Sequence, residues 1–134
     1  MITPDQPSLL YQTHVRVHLQ NIRSNIEGIR QAIGGQRKIL IAVKANAYGH
    51  GAIEVSRMAE KMGVDWLGIA TVPEGIELRE AGITLPILKF SPAFSQEMRA
   101  ALENDITLAV CEQSNIERLN EIAAETGRKC NVHL

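Results

Sequence analysis

Lys44 closes the apolar run Ile39-Leu40-Ile41-Ala42-Val43 and is followed by Tyr48 and by the turn Gly49-His50-Gly51. Two chemistries are open to an amine delivered this way. As an ammonium it costs several kcal/mol to bury unless it is paired or neutralised. As a free amine it attacks carbonyls and forms Schiff bases. The second role requires a lowered pKa, because at pH 7 a lysine of ordinary pKa is less than about 0.1% neutral. Desolvation by the apolar run is one means of lowering it. The strand pattern taken alone is equally met by a lysine marking where a strand surfaces, since exposed lysine is the common case. Tyr48 offers a hydroxyl beside a glycine turn whose N–H groups, ahead of a helix, suit a phosphate. It also reads as an ordinary loop aromatic.

The elements that must place Lys44 follow from hydrophobic periodicity. Residues Ile39 to Val43 are all apolar, as in a parallel strand buried on both faces. Beyond the glycine turn, Val55, Met58, Ala59 and Met62 fall at helical spacing, so Lys44 belongs to a strand, loop, helix unit. Upstream, Val15, Val17 and Leu19 alternate with His14, Arg16 and His18, the period of a short strand. Leu19, Ile22, Ile26, Ile29 and Ile33 then line one face of a helix stopped at Gly34-Gly35. Downstream the strand and helix alternation repeats. Asp65 to Ala70 reads as a strand, with Thr71 to Glu74 a capping box opening a helix that stops at Gly82. Pro86 to Phe90 is the next strand, with Ser95 as N-cap of its helix. Ile106 to Val110 follows, with a second capping box at Ser114 to Glu117 and a stop at Gly127, and Cys130 to Leu134 starts a fifth strand.

Strands recurring every 20 to 27 residues or so, each followed by a helix, predict a parallel α/β sheet. A doubly wound sheet and a (β/α)8 TIM-type barrel compete. A barrel needs about 250 residues, so on that reading the chain of 134 residues is its N-terminal part. A final apolar strand with no helix to cover it favours the barrel fragment. The expected organisation is a loose leader over residues 1–10, holding Pro4 and Pro7, and an incomplete barrel domain over 11–134. Strand parity sets Leu40, Ala42 and Lys44 on one face and Leu88 with Phe90 on one face, so the two sets can meet in a barrel mouth.

A net charge of −1 gives no footprint for nucleic acid or an anionic membrane. No apolar run approaches the ~20 residues of a transmembrane helix, and the first residues lack the basic and apolar blocks of a secretion signal. The expected location is the cytoplasm. Cys111 and Cys130 read as buried free thiols, and His14 and His18 as solvated side chains on the polar side of their strand. No metal site is expected.

The run from Ala42 to Gly51, AVKANAYGHG, resembles the pyridoxal-phosphate attachment signature of alanine racemases, a fold-type III barrel family. The similarity extends to Asn21-Ile22-Arg23-Ser24-Asn25, to Trp66–Ile83 with its Leu78-Arg79-Glu80-Ala81-Gly82-Ile83, to Pro86-Ile87-Leu88 and to Val132-His133-Leu134. The resemblance implies an isomerase interconverting L- and D-alanine through two bases. Lys44 would hold pyridoxal 5'-phosphate as a Schiff base and serve as one base. Tyr48 would bond the cofactor phosphate, and Ala42 and Phe90 would line its pyridine ring. Relatives usually carry a branched aliphatic in place of Ala42 and an aliphatic in place of Phe90, which opens the alternative of a broad-specificity racemase. In the family the opposite base is a tyrosine of a C-terminal β domain supplied by the second subunit of a homodimer, and a substrate-positioning arginine follows the last strand seen here. The fragment alone is therefore expected to be inactive. Other readings are a non-catalytic pyridoxal-phosphate carrier or regulatory protein, a cofactor-free Schiff-base aldolase, and a decarboxylase of the same fold. The decarboxylases lack the Ala47-Tyr48-Gly49-His50-Gly51 continuation.

Overall fold

The computed structural model describes residues 14–134, so the expected leader over 1–10 lies outside the described residues. Element order is α1 (Leu19–Ile33), β1 (Leu40–Ala42), α2 (Lys44–Gly49), α3 (Ala52–Lys61), β2 (Trp66–Ile69), α4 (Val72–Glu80), β3 (Ile87–Lys89), α5 (Ser95–Glu103), β4 (Ile106–Ala109), α6 (Gln113–Thr126) and β5 (Val132–His133). The strands form one sheet in chain order, β1-β2-β3-β4-β5, and every pair is parallel. A doubly wound sheet reverses its order at a switch point. This sheet does not, and its progression is that of the start of a (β/α)8 barrel.

The two faces of the sheet differ because the side chains alternate. The register row Leu67, Ile87, Ile106 and the row Ile69, Lys89, Leu108 point to the helices. Leu67, Ile69, Ile87 and Leu108 are fully buried there against Val55, Ala59, Leu78, Met98, Ala101, Leu119 and Ile122. The helices follow one another around this face, α3 on α4, α4 on α5 and α5 on α6. The row Ala42, Gly68, Leu88, Thr107 faces the opposite, concave side.

Helix α4 shows how local chemistry sets the layer. Thr71 and Glu74 form the predicted capping box, with Pro73 in the first turn. Arg79, at its far end, fans its guanidinium over four carbonyls. Nη1 donates to Ile83 and Leu85 at 2.7 and 2.8 Å, Nη2 to Asp105 at 3.1 Å, and Nε to Asn104 at 3.2 Å. The planar five-donor fork ties the entries to β3 and β4 together in a way a lysine point charge cannot.

Several boundaries differ from the sequence expectations. Residues 14–18 form no strand, because no described strand lies alongside to complete a ladder, and Val15 is exposed. The run from Ile39 is not buried on both faces: Leu40 is 40% exposed, since no described residue covers the concave side at that position. Ser95 is the first helical residue of α5 rather than its N-cap, and the Glu97 carboxylate instead accepts the Phe94 N–H at 3.1 Å. No capping box forms at Ser114. Helix α6 starts at Gln113, whose Nε2 donates to Glu117 at 2.9 Å and keeps that carboxylate from reaching back. Cys111 is exposed and Cys130 half-buried, both as free thiols, against the expectation that both are buried. No described helix is long and apolar enough to cross a membrane.

Candidate active site

Lys44 is the second residue past β1, after Val43. The ladder runs one step beyond the strand, with the Val43 N–H donating to the Gly68 carbonyl at 2.8 Å. The backbone then winds the wrong way. Ala45, Asn46, Ala47 and Tyr48 all have φ between 49 and 54° and ψ between 39 and 49°. A left-handed turn of L-residues costs roughly 1–2 kcal/mol per residue, and only Asn46 is of a type that tolerates it well.

Specific bonds hold this turn. The Ala45 N–H donates to Glu74 Oε1 at 2.7 Å, and the Ala47 N–H to the Val43 carbonyl at 2.8 Å. At the far end, Gly51 N–H reaches the Asn46 carbonyl at 3.0 Å, and Asn46 Oδ1 accepts the Ala52 N–H at 2.8 Å, which caps α3. His50 Nδ1 lies 2.9 Å from the Ala47 carbonyl, and the His50 N–H bonds to the same oxygen at 3.1 Å. The expectation that this turn offers free N–H groups to a phosphate is therefore corrected for His50 and Gly51, whose donors are spent inside the turn. Glu74 binds on two sides, since its Oε2 accepts the N–H groups of Ala70 and Thr71 at 2.8 and 3.0 Å. Burial pushes this carboxyl up, but the N–H groups of Ala45, Ala70 and Thr71 outweigh it and hold the group below the ordinary carboxylate range.

The four residues singled out from sequence all sit at the C-terminal end of the sheet. Lys44 is half-buried, and its Nζ lies 6.0 Å from the centre of the Tyr48 ring. No carboxylate among the described residues pairs with it. Tyr48 is exposed. Ala42 and Phe90 share the concave face through Gly68, which pairs with Ala42 in register. A Cβ on Gly68 would fall 2.0 Å from Phe90 Cζ and 2.6 to 2.7 Å from its two Cε atoms, so the tip of the ring fills the space that a side chain at this position would need. Gly68→Ala is accordingly expected to swing the half-exposed Phe90 ring off the sheet. The check is stability. Gly68→Ala should cost about 1–2 kcal/mol in urea unfolding, and most of that loss should vanish in the Phe90→Leu background. Simple additivity would refute the contact.

A family profile described as "Alanine racemase, N-terminal domain" matches residues 17–134. The chain belongs to the alanine racemase family. An alanine racemase of Cutibacterium acnes is 47% identical over 123 residues, covering 91% of this chain and 32% of that protein. Among solved structures, an alanine racemase of Clostridium difficile 630 superposes with a TM-score of 0.86 at 41% identity, covering 87% of this chain and 31% of that one. A histidine racemase from Leuconostoc mesenteroides subsp. sake gives 0.74 at 29% identity, over 85% and 30% of the two chains. The chain thus spans about a third of the length of the relatives it matches, and its fold is the N-terminal barrel portion of an alanine racemase.

Sequence reasoning missed four residues around this site. Gly68 and Glu74 matter through contacts across 22 and 29 positions, with Phe90 and Ala45 respectively; the capping box announced Glu74 as a helix cap, but no local pattern announces either long-range contact. Asn46 could have been noticed as a residue type that tolerates left-handed backbone. Lys89 looks like a second amine near the mouth but faces the helices, 3% exposed. Its Nζ donates to Ser91 O, Ser91 Oγ and Pro92 O at 3.0 to 3.1 Å and lies 3.7 Å from Glu97. Its alternation against Leu88 and Phe90 was the available signal.

Proposed function

We propose that the protein to which this chain belongs is a pyridoxal-phosphate-dependent alanine racemase and that Lys44 is both its cofactor anchor and one of its two bases. The observation that carries this reading is the delivery of an unpaired amine, by a strained and tethered turn, to the open C-terminal end of a parallel sheet. The surrounding residues fit the cofactor. A primary amine suits its aldehyde, the exposed Tyr48 hydroxyl suits a phosphate, and the small Ala42 and the aromatic Phe90 on the concave face suit a planar heterocycle. When bound, pyridoxal phosphate supplies an electron sink for the pair left on the α-carbon. Lys44 then removes or returns the α-proton on one face. The opposite base and the substrate-positioning arginine lie outside this chain on this reading, with the base coming from the second subunit of a homodimer, so residues 1–134 alone do not racemise.

The test is chemical. The full-length protein is loaded with pyridoxal phosphate, reduced with borohydride and digested, and the modified residue is mapped. The label is expected on Lys44, and a label on any other residue overturns the assignment. A broader amino-acid preference is the second reading. It is favoured by the aromatic Phe90 opposite a small Ala42, and by the similarity to a histidine racemase. Racemisation rates on alanine and on larger amino acids separate the two.

A further inference from the structure

We propose that Glu74 is a positioning residue for Lys44, acting as a two-sided strut that fixes the left-handed turn to the first turn of α4. The inference rests on the role proposed above for Lys44. A carboxylate has two oxygens that both accept, and here each has its own task. Oε1 takes the N–H of Ala45, the peptide immediately following Lys44, at 2.7 Å. Oε2 takes Ala70 and Thr71, the ordinary work of a capping box. The cap alone needs only Oε2. The Oε1 bond crosses from α4 to a different βα unit and lands on the first residue that enters the left-handed region, at φ 49°.

Position matters here because an amine that must meet a carbonyl carbon and then an α-proton loses rate steeply when it is misplaced. At the far end, Asn46 Oδ1 holds the Ala52 N–H and so anchors the turn to α3. At the near end, among the described residues, Glu74 is the side chain that bonds to the turn. Among the described residues no second acceptor meets the Ala45 N–H, and a backbone with five successive positive φ angles, Ala45 to Gly49, has an easier right-handed alternative to fall into.

The two tasks separate experimentally. Glutamine carries one acceptor oxygen and one NH2 group. With its oxygen kept on the two cap donors, Glu74→Gln turns its NH2 group toward the Ala45 N–H, donor against donor, so the cap survives and the strut breaks. Thr71→Ala does the reverse, weakening the cap without touching Ala45. Both variants are made in the full-length protein. Amide hydrogen exchange over 45–48 is read in the cofactor-free form, and the rate of borohydride-trappable pyridoxal-phosphate capture at Lys44 is read separately. Glu74→Gln is expected to raise exchange over 45–48 and slow capture, each by about tenfold or more. Thr71→Ala should lower the thermal midpoint and leave both readouts near those of the unsubstituted protein. Unchanged exchange and capture in Glu74→Gln would overturn the proposal, as would an equal slowing in Thr71→Ala. If Glu74→Gln does not fold, Glu74→Asp takes its place, because its shorter carboxylate serves the cap but not Ala45. Failure of both to fold would show that Glu74 serves the fold as a whole and would also overturn the proposal. Absence of capture at Lys44 in the unsubstituted protein counts against the cofactor reading instead, and the exchange measurement still decides whether Glu74 holds the turn.

Discussion

Lys44→Ala, made in the full-length protein, should leave the fold intact and lower the racemisation rate by at least about 10³-fold, the range associated with loss of a positioned proton-transfer group. The two halves of this expectation have separate grounds. Lys44 is half-exposed, and no described carboxylate pairs with it, so its removal strips no buried contact and should change stability by less than about 0.5 kcal/mol. The turn that presents it is held by Glu74 and Asn46, which remain. The chemistry has no substitute, since Lys89, the other amine at this end of the sheet, points into the helix layer and is bound to the loop that follows β3. Lys44→Arg makes the test sharper. It keeps the positive charge but stays protonated at any working pH, so it should fall as far as alanine if the free amine is what matters. Racemisation by Lys44→Arg within tenfold of the unsubstituted protein would reduce Lys44 to an electrostatic role and sink the base assignment.

Periodicity made most of the scaffold legible, and it did so for a physical reason. Helices that cover a sheet demand apolar strands, so the runs that hold Leu67, Ile69, Ile87 and Leu108 could be read as strands before any contact was known, and the structure buries these four against the helices. Lys44 could be placed at the end of β1 because an apolar run can stop on an ammonium only where it surfaces. Features that depend on distant partners were not legible. The alternation of Val15 and Val17 is that of a strand, but a strand exists only when another lies beside it. The left-handed sense of Ala45 to Tyr48 is invisible locally, because alanine and tyrosine carry no preference for it and the Glu74 carboxylate that holds it comes from another βα unit. The caps at Ser95 and Ser114 failed for a smaller reason. Carboxylates at Glu97 and Glu117 found other donors, and the helices began one residue (α5) and two residues (α6) ahead of the pattern.

Gly75→Val is expected to be the most destabilising single change in the helix layer, by about 3 kcal/mol or more in urea unfolding. Gly75 lies on the buried face of α4, and a Cβ there would stand 2.5 Å from Ile106 Cδ1 and 2.8 Å from Ile69 Cδ1. Both isoleucines are buried to 2% exposure or less, so neither can swing aside as the half-exposed Phe90 can. The helix itself must lift. Valine is a somewhat better helix former than glycine, by a few tenths of a kcal/mol, so propensity works against the predicted loss. Gly28→Val in α1, where a Cβ meets nothing within 4 Å, isolates that gain and should be neutral or slightly stabilising. A Gly75→Val protein within about 0.5 kcal/mol of the unsubstituted one would show that α4 does not sit this close to the sheet. The consequence reaches the site. Glu74 is the residue before Gly75, and a helix that lifts away from Ile69 and Ile106 draws the Glu74 carboxylate away from the Ala45 N–H. Amide exchange over 45–48 should therefore rise in Gly75→Val under conditions where the protein is still folded, and stay unchanged in Gly28→Val. Close packing of α4 on β2 and β4 is in this sense part of what aims Lys44.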